Sequence, residues 1–208
     1  MRRLPKRRPA CLGAFFRVKG RFWFPALGYW GTDTEQYCCE KQAGVIGVQV
    51  TKQELIQQYE QYIPWLEGLS SLDEQAFRTP VGPGKWTCAE IIGHLLYWDR
   101  VLLHDIFPNV SEGAAIECPE FSDFEMVNGI AAQYAREEAS IQTLIAESIE
   151  IRSQIISYLQ NKSEEEFQRT FLINTSEQTL LLLMEDFTGH DRHHRQQIEK
   201  HLEKLLSA

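Results

Sequence analysis

The chain has 208 residues, 43% apolar and 11% aromatic, enough to bury one substantial core with an appendage. Its formal charge of -8 divides unevenly: residues 1–50 hold nine Lys and Arg against three Asp and Glu, and residues 51–208 hold twelve against twenty-six. An acidic domain without a basic stripe argues against nucleic acid, whose affinity rests on phosphate neutralisation. No apolar run approaches the roughly 18 residues of a membrane span, so a soluble cytoplasmic protein is expected.

The opening MRRLPKRRPACLGAFFRVKGRFWFPALGYW contains no acid, and its short apolar core is broken by Arg17, Lys19, Arg21 and Pro25. It has neither helical nor strand period and makes a poor targeting signal. Residues 1–50 are therefore expected to be a basic extension outside the working fold, irregular or absent from the native protein, whose start would fall near Val48 or Val50. The working domain is 51–208. Five cysteines, three of them in the first 40 residues, show no zinc-finger spacing and read as reduced thiols.

Four segments of the domain have helical period. Leu55, Tyr59, Tyr62, Ile63, Leu66 and Leu69 form one stripe ending near Leu72, with Pro64 expected to kink it. After the Pro- and Gly-rich loop RTPVGPGKW, Thr87 and Glu90 form a capping box that opens a second helix running to about Phe107. A polar connection from Pro108 to Phe121 leads to a third helix, expected to be long, from near Ser122 through Phe124, Val127, Ala131, Tyr134, Ile141, Leu144 and Ile155 to Leu159. Thr175 or Ser176 is expected to cap a last helix from about Glu177 to Leu206. The fold class is all-α, a four-helix bundle with room for a crossover between its second and third helices.

The last stripe, Leu180, Leu183, Met184, Phe187, His190, His194, Ile198, Leu202 and Leu205, contains two histidines four residues apart. On a helix they stand one turn above the other and can reach one ion. Burying two imidazoles where Leu would pack costs free energy unless each finds a partner, and a divalent metal satisfies both. His94, bracketed by Ile91, Leu95 and Trp98 on the second helix, also points inward. Three histidine ligands leave a coordination position open, as in catalytic zinc sites. The competing reading is three core histidines, each hydrogen-bonded to protein. Asp186, four residues before His190, and Gln197, three after His194, are the catalytic candidates, placed to orient an imidazole or a bound water. Glu90 is explained by capping, His193 and His104 read as surface residues, His201 as packing lower on the stripe, and Tyr97 and Trp98 as pocket wall or core.

The segments PWLEGLS, GKWTCAEIIGHLLYWDR, NGIAAQYAREE and HDRHHRQQI resemble the DinB-like superfamily, which includes YfiT-type metal-dependent hydrolases and bacillithiol-dependent S-transferases. The resemblance covers nearly all of residues 51–208. It implies an up-down-down-up four-helix bundle, a zinc or nickel ion held by His94, His190 and His194, frequent homodimers, and activation of water or a low-molecular-weight thiol such as bacillithiol toward a small-molecule substrate. The leading expectation is thus a metal-dependent transferase or hydrolase. The alternative is a non-catalytic stress-response or interaction protein with a structural metal. Imidazole ligands alone do not distinguish zinc, nickel, iron and copper.

Overall fold

The computed structural model describes residues 50–207; the expectations for residues 1–49 lie outside the described residues. Helix α1 (Lys52–Leu69) opens on a reciprocal cap, in which Thr51 Oγ1 accepts from the Glu54 amide at 3.2 Å and Glu54 Oε2 accepts from the Thr51 amide at 2.8 Å. It continues unbroken through Pro64 and buries Leu55, Tyr59, Tyr62, Leu66 and Leu69. A short helix, α2 (Glu74–Arg78), follows. The Thr87 and Glu90 box then starts α3 (Cys88–Val101), whose chain widens into a π-helical turn over Leu102–Ile106 and tightens into a 3-10 turn over Phe107–Asn109.

The expected long third helix is two. After β1 (Ala115–Ile116), helix α4 (Phe124–Glu137) ends and α5 (Ile141–Gln160) begins afresh. Ser140 is extended at ψ 164° and its hydroxyl accepts from the Thr143 amide at 3.0 Å, an N-cap that stops α4 from continuing. Arg78 takes the terminal carbonyls of the ended helix, donating to Ala135 and Ala139 oxygens at 2.8 Å each. Local capping and a distant guanidinium together override a periodicity that runs on across the break.

The last helix also begins later than its spacing predicts. After α6 (Glu164–Gln168), strands β2 (Phe171–Ile173) and β3 (Ser176–Gln178) form a hairpin, and Thr179 caps α7 (Leu180–Leu206). β2 pairs antiparallel with β3, with Leu172 opposite Glu177, and parallel with β1, giving the order β1-β2-β3. Asn174 turns the hairpin at φ 53°, a left-handed conformation that Asn tolerates. Its side chain accepts from the Cys118 amide and donates to the Cys118 carbonyl, both at 2.9 Å, fastening the preceding loop to the hairpin.

Contacts along the helices fix their directions. Lys52 at the start of α1 donates to the Lys162 carbonyl just past the end of α5, while Arg152, earlier on α5, lies over Tyr62 further along α1, so these two run antiparallel. Arg192 meets Gln58 and Arg195 lies over Trp65, so α7 runs with α1. Arg100 bonds Glu147 and Phe107 stacks on Tyr158, so α5 runs with α3. The four long helices α1, α3, α5 and α7 therefore form an up-down-down-up bundle. The return trip that lets α5 descend beside α3 is made by α4, which pairs Arg136 with Glu90 at one end and Phe124 with Trp98 at the other.

The apolar interior divides into two clusters. One gathers Leu55, Tyr59, Trp98, Leu102, Ile155, Phe171, Leu183 and Phe187 with the hairpin; the other gathers Tyr62, Leu66, Ile91, Leu95, Leu144, Ile145 and Ile198. Between them on α5 and α7 lie Arg152, His190, Asp191 and His194, all buried. The bundle thus carries a polar layer at its waist.

Helices α3 and α4 approach most closely at Gly93, next to His94. A methyl added there would stand 2.8 Å from Ala135 Cβ and 3.1 Å from the Ala131 carbonyl oxygen. Gly93→Ala should therefore destabilise the protein by about 1 kcal/mol, because overpacking of about 1–3 kcal/mol exceeds the roughly 1 kcal/mol gained in helix propensity. Urea denaturation midpoints check this; a variant more stable than wild type would show that the contact yields freely.

Candidate metal centre

His94 projects from the second turn of α3, downstream of its capping box, and His190 and His194 project from the middle of α7. The three are 5%, 3% and 6% exposed. His190 Nε2 lies 2.9 Å from His94 Nε2 and 3.0 Å from His194 Nε2. Among the described residues this is the one group of three or more His, Cys, Asp or Glu side chains whose ligand atoms converge, all within 4.8 Å of one another.

Burial dominates the electrostatics. It pushes His94 down to about 4 from the ordinary 6.5, against a smaller upward pull from Asn128. It also holds His190 and His194 well below 6.5, helped by the other imidazoles around them. All three rings are neutral at pH 7, the state a metal requires of imidazole.

The donor set fits a divalent ion. His194 Nδ1 lies 2.8 Å from Gln197 Oε1, which can only accept, so the ring carries its proton on Nδ1 and presents a lone pair at Nε2. His190 Nε2 cannot serve two neighbouring ring nitrogens with one proton or one lone pair, whereas a cation satisfies all three. Tetrahedral ligands at about 2.0–2.1 Å from zinc stand roughly 3.3 Å apart, so the two pairs now at 2.9 and 3.0 Å need only small shifts, with all three ligand atoms already within 4.8 Å of one another.

Gln197, a catalytic candidate from the sequence, thus bonds the outer edge of one candidate ligand, and its Nε2 lies 2.9 Å from His193 Nε2. His193 is half-buried with its ring 5.2 Å from that of His194, rather than a surface residue as its helical phase suggested. Asp186, the other candidate, is half-buried one turn before His190. Glu90 caps α3 and also pairs with Arg136. His104 is exposed, while His201 is buried with Nε2 unpaired. Trp98 is core, and the half-buried Trp86 covers one side of His94 with ring centres 5.1 Å apart.

Two features escaped the sequence reading. Asn128 on α4 stands beside His94: its buried Oδ1 and His94 Nδ1 each lack a partner at full hydrogen-bonding geometry, and a small adjustment would pair them. Near His190, Arg152 of α5 joins Asp99 of α3 to Asp191 of α7. A charged residue at an apolar stripe position, Arg152 between Ser148 and Ile156, was the available signal. Cys88 and Cys118 are free and buried, their thiols pushed up to about 11 and about 12 mainly by that burial.

Residues 54–198 match the family model of the DinB superfamily, and the chain belongs to that family. Its structure is similar to that of YfiT from Bacillus subtilis, described as a probable metal-dependent hydrolase with an unusual four-helix bundle topology. The TM-score is 0.62 at 18% identity, over 78% of this chain and 91% of that one. At that identity the likeness shows the fold. No curated protein matches the sequence.

The depressed histidines give a pH dependence of definite sign. Below about pH 6.5 the unfolded chain binds protons at these rings and the folded, metal-free chain does not, so the stability they contribute is complete above 6.5 and is lost as pH falls below it, for His94 down to about 4. The slope should reach about 1.4 kcal/mol per pH unit for each histidine. Chemical denaturation of chelator-treated protein at pH 7, 6 and 5 measures it; a flat profile would contradict burial of neutral rings.

Proposed function

We propose that the protein is a metal-dependent enzyme that binds a divalent ion, zinc or nickel, through His94, His190 and His194. The observation that carries this reading is the convergence of three buried Nε2 atoms on one point. Such an ion supplies Lewis acidity that lowers the pKa of a bound water or thiol. The chain's own residues do the rest. Gln197 Oε1 accepts the His194 Nδ1 proton and so holds that ring with Nε2 turned inward. Asn128 is placed to do the same for His94, and Trp86 and Trp98 flank that ring and shield it from water. Asp186, half-buried one turn from His190, is the acid we assign to orienting the nucleophile.

Two reaction classes fit a metal-activated nucleophile: hydrolysis by water, and S-transfer from a low-molecular-weight thiol such as bacillithiol to a small electrophile. The acidic charge of residues 51–208 suits a small-molecule substrate rather than nucleic acid. We place the protein in the cytoplasm as a homodimer. No helix among the described residues is long and apolar enough to cross a membrane. The depth of the three histidines favours a second reading, a structural ion tying α3 to α7 in a non-catalytic stress-response or interaction protein.

Untagged protein purified without chelator is expected to hold about one divalent ion per chain, and His190→Ala/His194→Ala to hold none, as measured by elemental mass spectrometry. Assays of the metal-loaded protein with an activated ester, and with thiols plus a chlorodinitrobenzene electrophile, should show turnover in one assay that the double variant lacks. Metal without turnover in either would favour the structural ion. Metal-free wild-type protein would overturn the reading.

A further inference from the structure

We propose that Arg152 is a positioning residue of the metal centre: through Asp99 and Asp191 it clamps the two histidine-bearing helices at the spacing where their Nε2 atoms converge. The proposal rests on the metal-binding reading above.

Arg152 is 1% exposed at the waist of the bundle. Its Nη1 donates to Asp191 Oδ2 at 2.5 Å and its Nη2 to Asp191 Oδ1 at 3.3 Å, and the same Nη2 forms an ion pair with Asp99 Oδ2 at 2.7 Å. Asp191 is the next residue after His190, and Asp99 follows His94 by five positions on α3. One guanidinium thus holds both ligand-bearing helices from α5. Its orientation is fixed from α1, because the Tyr59 and Tyr62 rings lie 4.5 and 4.4 Å from its carbon. All four long helices meet at this side chain.

The arrangement suits positioning better than stability alone. Buried ionic triads can often be replaced by apolar side chains of similar volume at no cost in stability. What a planar fork with several fixed donors adds is direction: it sets where two carboxylates stand, and hence how their helices are rotated. The second carboxylate is unnecessary for charge balance, since Asp191 alone neutralises Arg152. Asp99 is the arm that reaches the helix of His94.

The test compares full-length wild type, Asp99→Asn, and the triple variant Asp99→Asn/Arg152→Met/Asp191→Asn. Asp99→Asn leaves Arg152 balanced by Asp191, so it strands no buried charge. Zn2+ affinity is measured by competition with a chromophoric chelator, ligand geometry by the visible spectrum of the Co2+ forms, and stability by thermal unfolding of the chelator-treated proteins. Zn2+ affinity should fall about 10-fold in Asp99→Asn and about 100-fold in the triple variant. The Co2+ bands should shift, while the midpoint of Asp99→Asn stays close to wild type. If both variants bind Zn2+ as wild type does, with unchanged Co2+ spectra, the clamp is overturned and the metal site stands. Wild type that binds no Zn2+ removes both. Should the triple variant not fold, Asp99→Asn decides alone; loss of folding in Asp99→Asn as well would make the triad purely structural and overturn the proposal.

Discussion

Six polar side chains, three imidazoles and an Asp–Arg–Asp triad, are buried together in or beside the waist of a bundle whose two ends are apolar. Each would cost several kcal/mol if left without a partner. The layer is tolerable only if α3, α5 and α7 stand at one mutual height and rotation, since Arg152 must reach carboxylates on two other helices and His190 must meet an imidazole from α3. Apolar clusters tolerate slippage; this layer does not. It therefore selects a register that hydrophobic burial alone would leave loosely specified.

The topology follows from the same demand. With α3 and α5 parallel, Arg100 and Glu147 meet beside the layer, and Phe107 and Tyr158 stack just beyond the π-helical turn, where the chain tightens into its 3-10 turn. Such an arrangement needs the chain to travel back between the two, and α4 does so at close range because Gly93, Ala131 and Ala135 present almost no side chain to one another. That approach brings Asn128 to the outer edge of His94. Small residues that do no chemistry themselves thus decide which group can orient a candidate ligand.

Much of this was legible in the sequence where the signal is local. The Thr87 and Glu90 box placed the start of α3, and the four-residue spacing of His190 and His194 placed both on one inward stripe together with the inward-facing His94. The break between α4 and α5 was not legible, because the apolar positions on either side continue at helical spacing. The reversal depends on Ser140 and on Arg78, which lies 57 residues from the Ala135 carbonyl it caps. The hairpin before α7 hid for a similar reason: Ser176 looks like a cap until Asn174, in its left-handed conformation, is seen to bind Cys118 across the sheet. Arg152 stood in plain view in an apolar stripe, but a single sequence does not say which acids lie opposite.

The charge of the layer bears on what the centre can hold. With Asp191 ionised, Arg152 is balanced, and burial pushes Asp99 up to about 7 despite the opposing guanidinium, so its carboxyl exchanges a proton near neutrality. Three neutral imidazoles add no charge to the layer. On the proposed reading a divalent ion would place two positive charges beside the triad, which ionisation of Asp99 and a single bound anion, hydroxide or thiolate, would neutralise. In a buried layer where unbalanced charge is expensive, the triad and such an ion together would favour the deprotonated nucleophile over its neutral parent. A centre of three histidines without the acidic surplus would carry two positive charges and would suit a pair of anions instead. On that reading the extra carboxylate would match the centre to one anionic nucleophile at a time.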